Sequence, residues 1–167
     1  MSFSKYKKIF ITATDTGVGK SIFTSILASY YLSLGNEVTI SKPIQTGEEK
    51  DTDLLADLTG RKISIFNTYT FKLPAAPSVA ASFEKKEIHK EKIIADIRKL
   101  EKEFDVVLVE GIGGIAVPIL GSYLISDLIK DLNYPLVVVC RPTLGTINHT
   151  VLTLEYAKQK GLNVIGY

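Results

Sequence analysis

The sequence predicts an α/β fold: a doubly wound, mostly parallel sheet flanked by helices. Three observations carry this. Apolar runs rich in β-branched residues recur along the 167-residue chain, as in strands buried on both faces. Segments with helical spacing of apolar residues lie between those runs, and such alternation implies parallel strands joined by helices. A glycine-bearing stretch, TATDTGVGKS (residues 12–21), sits where the first run ends and the first helical pattern begins.

Taken in order, residues 9–13 are expected as the first strand and 20–34 as the first helix, stopped by Gly35-Asn36. Residues 38–40 form a second strand, followed by the polar stretch SKPIQTGEEKDTD and a short helical pattern over 52–58. Residues 88–104 read as an amphipathic helix. Charges of both signs alternate through EKKEIHKEKIIADIRKLEKEF, while Ile88, Ile94, Ile97 and Leu100 recur at helical spacing, so the charge run is a solvated face. A third strand (106–109), a helix (124–132), a fourth strand (136–140), a helix (148–160) and a last strand (162–165) complete the pattern. No repeat or linker divides them, so residues 1–167 read as a single α/β domain.

Composition narrows the function classes. Hydrophobic residues make up 46% and charged residues 23%, enough for an ordinary buried core. A net charge of +2 gives no ground for a nucleic-acid or membrane partner. Cys140 is the lone cysteine, which excludes a disulfide within the chain and a cysteine-rich metal site. The apolar run in MSFSKYKKIFITA is too short for a signal peptide or a membrane span. A reducing, cytoplasmic setting is the expectation.

The chemistry gathers at strand ends, where parallel sheets bind ligands. TATDTGVGKS ends as a phosphate-binding loop does, although Thr14 stands where the general pattern G-x-x-x-x-G-K-[ST] has glycine. Gly17 and Gly19 let backbone N–H groups turn inward as an anion nest, and the helix that follows adds its positive end. Lys20 is expected at the β- and γ-phosphates and Ser21 on magnesium. Thr14 fits if its φ is negative. The second strand ends at Lys42, whose ammonium should face the crevice. Thr46 and Gly47 form a polar turn, and Asp53 follows near a helix start, where Asp51 and Thr52 suit the cap equally well. Glu110 ends the third strand before the glycine-rich GIGG. Ser21, Asp53 and Glu110 would make a hard oxygen shell of the kind Mg2+ prefers. The whole is a P-loop NTPase-like, three-layer α/β/α arrangement.

With these residues in place, the chain resembles dethiobiotin synthetase. The stretches TATDTGVGKS, SKPIQTG, DTDLL, YTFKLPAAPSVAA, VLVEGIGGIAVPI and LGTINHT stand in that family's order and cover most of the sequence. The family's loop also has threonine at the position of Thr14, and usually glutamate at that of Gly17. The resemblance implies a ligase of biotin biosynthesis that joins 7,8-diaminononanoate and CO2 into a cyclic urea through a carbamate and a carbamic-phosphoric anhydride, with ATP and Mg2+. It implies Lys42 and Lys20 as catalytic residues. Thr16, Gly17, Val18, Gly19, Lys20, Ser21, Ile22, Asp53, Glu110, Gly111, Ile112 and Gly113 are the implied nucleotide contacts, with Ser21, Asp53 and Glu110 on the metal. Substrate contacts fall on Thr46, Gly113, Thr146, Ile147 and Asn148, the last three donated across a homodimer interface. His149 is expected at that interface without a catalytic role. The family continues beyond VIGY into a segment that reads adenine, which this sequence is expected to lack.

Alternatives come from other classes. A partitioning or switch ATPase would carry a lysine early in its loop, where Asp15 stands. A corrinoid amidase would need a second domain with a nucleophilic cysteine. A catalytically impaired nucleotide-binding remnant would bind ATP without turnover. On the ligase reading, Lys42→Ala is expected to keep the fold and lose most turnover.

Overall fold

A computed structural model describes residues 3–167. The chain runs β1 (Lys8–Ala13), α1 (Lys20–Ser33), β2 (Val38–Ser41), β3 (Ile44–Thr46), α2 (Asp51–Leu58), β4 (Ser64–Phe66), β5 (Tyr69–Phe71) and α3 (Pro77–Phe83). It continues through α4 (Lys90–Glu103), β6 (Val106–Gly114), β7 (Pro118–Leu120), β8 (Tyr123–Leu124), α5 (Ile125–Leu132), β9 (Leu136–Val139), α6 (Thr146–Gln159) and β10 (Val164–Gly166). Six strands form one parallel sheet in the order β10-β9-β1-β6-β2-β4. Helices cover both faces, as the alternating pattern predicts.

Residue alternation along β1 explains the two layers of core. Ile9 and Ile11 point to one face, where Leu27, Ala28 and Tyr31 of α1 and Leu55 of α2 pack. Phe10 points to the other, against residues of α4 and α5 such as Ile97 and Leu128. Successive strand side chains alternate across the sheet, so a strand buried on both faces must be apolar throughout.

Several elements differ from the sequence reading. The edge strand β4 and the short β3–β5 and β7–β8 pairs were not expected, nor was α3. Three-residue strands are too short to show a period. Helix α4 begins at Lys90 rather than Ile88, because His89 is still extended at φ −109° and ψ 113°. Its buried face is Ile93, Ile97 and Leu100, with Ile94 only packed at the margin. Gly35 sits just past α1 with φ +81°, the left-handed stop that the sequence implies.

Strand order and register build the site. Strand β6 lies between β1 and β2, with Ile11 opposite Glu110 and Ser41 opposite Val109. The residue after Ser41 is Lys42, so the parallel register sets Lys42 beside Glu110. Strand β1 ends two residues beyond Ile11, and the loop after it begins at Thr14.

Candidate active site

The loop between β1 and α1 has the form its glycines predict. Gly17 and Gly19 have φ of +71° and +101°, and no atom lies within 4 Å of a Cβ built on either. Left-handed backbone of this kind turns successive N–H groups to one side. Among the described residues the non-glycine positions with positive φ are Arg61, Lys85 and Asn133, so Thr14 keeps an ordinary conformation. Its amide donates to Val139 O at 3.0 Å, tying the loop to β9. Asp15 folds back, its Oδ1 accepting from Thr16 N at 2.7 Å, and its other oxygen pairs with Arg141 beyond β9.

Lys20 opens α1 and is buried, with 7% of its surface exposed. Its Nζ reaches back to Asp15 O at 3.2 Å. Burial, with the neighbouring Lys42 ammonium, pushes its pKa below the usual lysine value, against the opposing pull of Glu110, Asp51 and Asp15.

Lys42 is the second cation. Its ammonium donates to Glu110 Oε1 and to Gly111 O, each at 3.0 Å, and pairs with Asp51 Oδ2 at 2.6 Å. Glu110 also accepts from Ser21 Oγ at 2.9 Å through the same Oε1. Its other oxygen, Oε2, is buried and has no hydrogen-bond partner. A buried carboxylate oxygen without a partner is costly unless a cation or donor meets it. The glycine after Glu110 has a packing reason: a Cβ on Gly111 would come within 2.9 Å of Phe10 Cε1.

These groups line one cavity of about 620 Å³. Thr16, Gly17, Gly19, Lys20, Ser21 and Ile22 supply one wall, Lys42 and Thr46 another, and Glu110, Ile112 and Gly113 a third. Pro74, Ala75 and Ala76, just ahead of α3, close it. The sequence reading gave these three no individual role. The run of small residues in LPAAP was the available signal, since small side chains leave space for a ligand. Val18 does not line the cavity, and Gly111 contributes its carbonyl to Lys42 from beneath it.

Asp53 stands apart from the cavity. It is exposed, and it lines a separate groove with Gln45, Lys50 and Arg61, whereas Asp51 lines the cavity. Both lie in the first turn of α2, and residues two apart on a helix face different ways. Gln45 sets the phase by accepting from Thr52 N at 3.2 Å through its Oε1. Thr146, Ile147 and Asn148 start α6 and do not reach the cavity of their own chain. Ile147 is 79% exposed there.

No group of three or more His, Cys, Asp or Glu side chains among the described residues could hold a metal by itself. The arrangement still fits Mg2+. A P-loop protein holds that ion with one hydroxyl and one carboxylate, and nucleotide phosphates complete the shell. Ser21 and Glu110 are such a pair, and the unpartnered Oε2 is a ready ligand oxygen.

Fold and loop together define a P-loop nucleotide-binding α/β protein. Residues 7–167 match the AAA_26 family, described as an AAA domain. Solved structures share the fold. The kinase domain of the Escherichia coli tyrosine kinase ETK superposes with a TM-score of 0.61 at 15% identity, over 99% of this chain and 68% of that one. A ParA family ATPase from Chlorobium tepidum gives 0.55 at 14%, over 95% and 71%.

Among curated proteins, the ATP-dependent dethiobiotin synthetase of Methanocaldococcus jannaschii is 44% identical over 164 residues, 95% of this chain and 77% of that one. Its counterpart in Methanococcus vannielii is 42% identical over 160 residues, covering 95% and 76%. That of Bacillus subtilis is 38% identical over 164, covering 94% and 71%. The chain belongs to the ATP-dependent dethiobiotin synthetase family, a family of enzymes.

Proposed function

We propose that this chain closes the cyclic urea of dethiobiotin from 7,8-diaminononanoate and CO2 at the expense of ATP. The observation that carries the reading is the convergence of Lys20, Lys42 and Glu110 on one cavity at the phosphate loop. A reaction that brings a carbamate anion against a triphosphate needs cations held where those charges meet. Two lysines, one opening α1 and one just past β2, each largely withdrawn from water, supply them.

In the proposed sequence, one amine adds to CO2, losing a proton and forming the N–C bond of a carbamate. A carbamate oxygen then attacks the terminal phosphorus of ATP, and ADP departs. The second amine attacks the carbonyl carbon of the resulting carbamic-phosphoric anhydride, closing the ring and expelling phosphate. Lys20 offsets charge on the phosphates, and Lys42 on the carbamate and the transferred group. The glycine loop orients the phosphates through its N–H groups. Thr46 offers its hydroxyl to the diamine, and the backbone at Gly113 lines the same space. Ser21 and Glu110 would hold Mg2+, whose chemistry is to offset phosphate charge. The protein forms no covalent intermediate, so its contribution is placement and electrostatics.

A second copy of the chain completes the site in this reading. The start of α6, with Thr146, Ile147 and Asn148, would direct its N–H groups at the carboxylate of the diamine bound in the partner. Leu144, Ile147 and Leu152 are exposed at 104%, 79% and 62%, which suits an interface between copies.

Incubation with diaminononanoate, bicarbonate, ATP and Mg2+, followed by mass spectrometry, tests the assignment. Dethiobiotin is the expected product. Absence of product from protein that binds ATP normally would count against it. The same assay with other nucleoside triphosphates measures base preference.

A further inference from the structure

The surroundings of Lys42 go beyond what binding a ligand requires. Although it lines the cavity, this lysine is 1% exposed. Its ammonium has three N–H donors. Two are taken by Glu110 Oε1 and Gly111 O at 3.0 Å, and the Asp51 carboxylate is ion-paired with the ammonium at 2.6 Å. An anionic oxygen arriving at the ammonium from the cavity would compete with Asp51 for it.

The two carboxylates are not equivalent. Glu110 is fully buried in the strand next to β1 and is held also by Ser21. Asp51 belongs to the first turn of a short helix, and its side chain is 38% exposed. Withdrawing Glu110 from Lys42 would strand a charge inside the protein, whereas Asp51 can turn into water at small cost. With Lys20 nearby, two cations and two carboxylates also balance before any ligand arrives.

We infer that Asp51 is an exchangeable counter-ion of Lys42, giving way when an anionic oxygen of the substrates takes its place. The inference rests on the reading of this cavity as the ATP and carbamate site. The incoming oxygen belongs either to the terminal phosphate of ATP or to the carbamate of the diamine. Exchange in place of an empty cation pocket keeps Lys42 charged and positioned without a ligand. It also weakens binding of an anion by the strength of the contact it displaces. Asp51 thereby acts on affinity, and it touches the substrate at no step.

The test compares wild type, Asp51→Asn and Asp57→Asn. Asp57 lies on the same helix, so its loss removes the same charge, but it pairs with Arg61 at 2.8 Å and lies outside the cavity. Titration with ATP and Mg2+ reports on the phosphate. The KM for diaminononanoate at saturating bicarbonate reports on the carbamate. Asp51→Asn is expected to tighten one or both by about fivefold, the scale of a partly exposed ion pair, and Asp57→Asn to change neither. The arm that responds identifies the displacing oxygen. Equal gains in both variants would mean general repulsion and overturn the inference. So would a fall in kcat with unchanged or weaker affinity in Asp51→Asn, which would make Asp51 a support for Lys42 and no competitor. ATP binding that is normal and unaltered, with an unaltered KM, overturns the exchange alone. Failure of the wild type to bind ATP overturns the site reading with it.

Discussion

Lys42 Nζ stands 3.0 Å from Glu110 Oε1, and these side chains are 2% and 0% exposed. They come together because β6 inserts between β1 and β2 in parallel register. On the proposed reading the pair is structural and chemical at once, which changes what a substitution should do.

Lys42→Ala leaves Glu110 buried without its main cation. Removing one member of a buried pair typically costs about 3–5 kcal/mol. Turnover should also fall by a factor of about 100 or more, as for a preorganised charge that meets developing negative charge. The expectation from sequence alone, an intact fold with lost activity, omits the first effect. Urea denaturation measures it, and Lys42→Met with Glu110→Gln should recover most of the lost stability while remaining inactive.

Gly19 tests the loop. Its φ of +101° is open to glycine and strained for any side chain, although space exists for a methyl group. Gly19→Ala should cost about 1–2 kcal/mol through backbone strain and weaken ATP binding, as the N–H groups turn from the phosphates. Thermal melts and ATP titration check the two parts separately.

The far end of the sheet supplies a pH test. Burial pushes Glu101 up, but hydrogen bonds from Lys8, Tyr134 and Arg98 outweigh it and hold the carboxyl below its ordinary 4.5. Its partners lie at 2.6, 2.6 and 2.5 Å. A carboxylate whose folded pKa is depressed stabilises the protein above its unfolded pKa, and the contribution is lost as pH falls through the folded value. Glu101→Gln should therefore cost about 1–2 kcal/mol at pH 7. The difference from wild type should shrink below pH 4.5, when denaturation is followed across that range.

The proposed dimer is tested at α6. Ile147→Asp should leave the monomer's stability nearly unchanged, because the side chain is 79% exposed. It should shift sedimentation toward the monomer and raise the KM for diaminononanoate. Unchanged sedimentation and KM would remove α6 from the substrate site.

How much of this was legible in the sequence depends on which physical scale fixed it. The apolar runs of β1, β6 and β9 announce themselves because both faces are buried, and the glycine loop because its backbone needs positive φ. Lys42 could be placed at a strand end, whereas Glu110, expected at one, lies inside β6, which runs on to Gly114; their contact is a matter of register, which no local pattern carries. The choice of Asp51 over Asp53 turns on the phase of a short helix that Gln45 fixes from another element. Strands β3, β4 and β5 hold three residues each and have no period to detect. Pro74 to Ala76 acquire a role only when α3 packs against β3, β5 and β7 and sets them at the cavity.

The central claim is that the phosphate loop hands phosphate to a carbamate. Phosphate release from ATP and Mg2+ should be followed with diaminononanoate and bicarbonate each present or omitted. The account predicts release only when both are present, with one phosphate freed for each dethiobiotin formed. Phosphate release at the same rate without the diamine would contradict it.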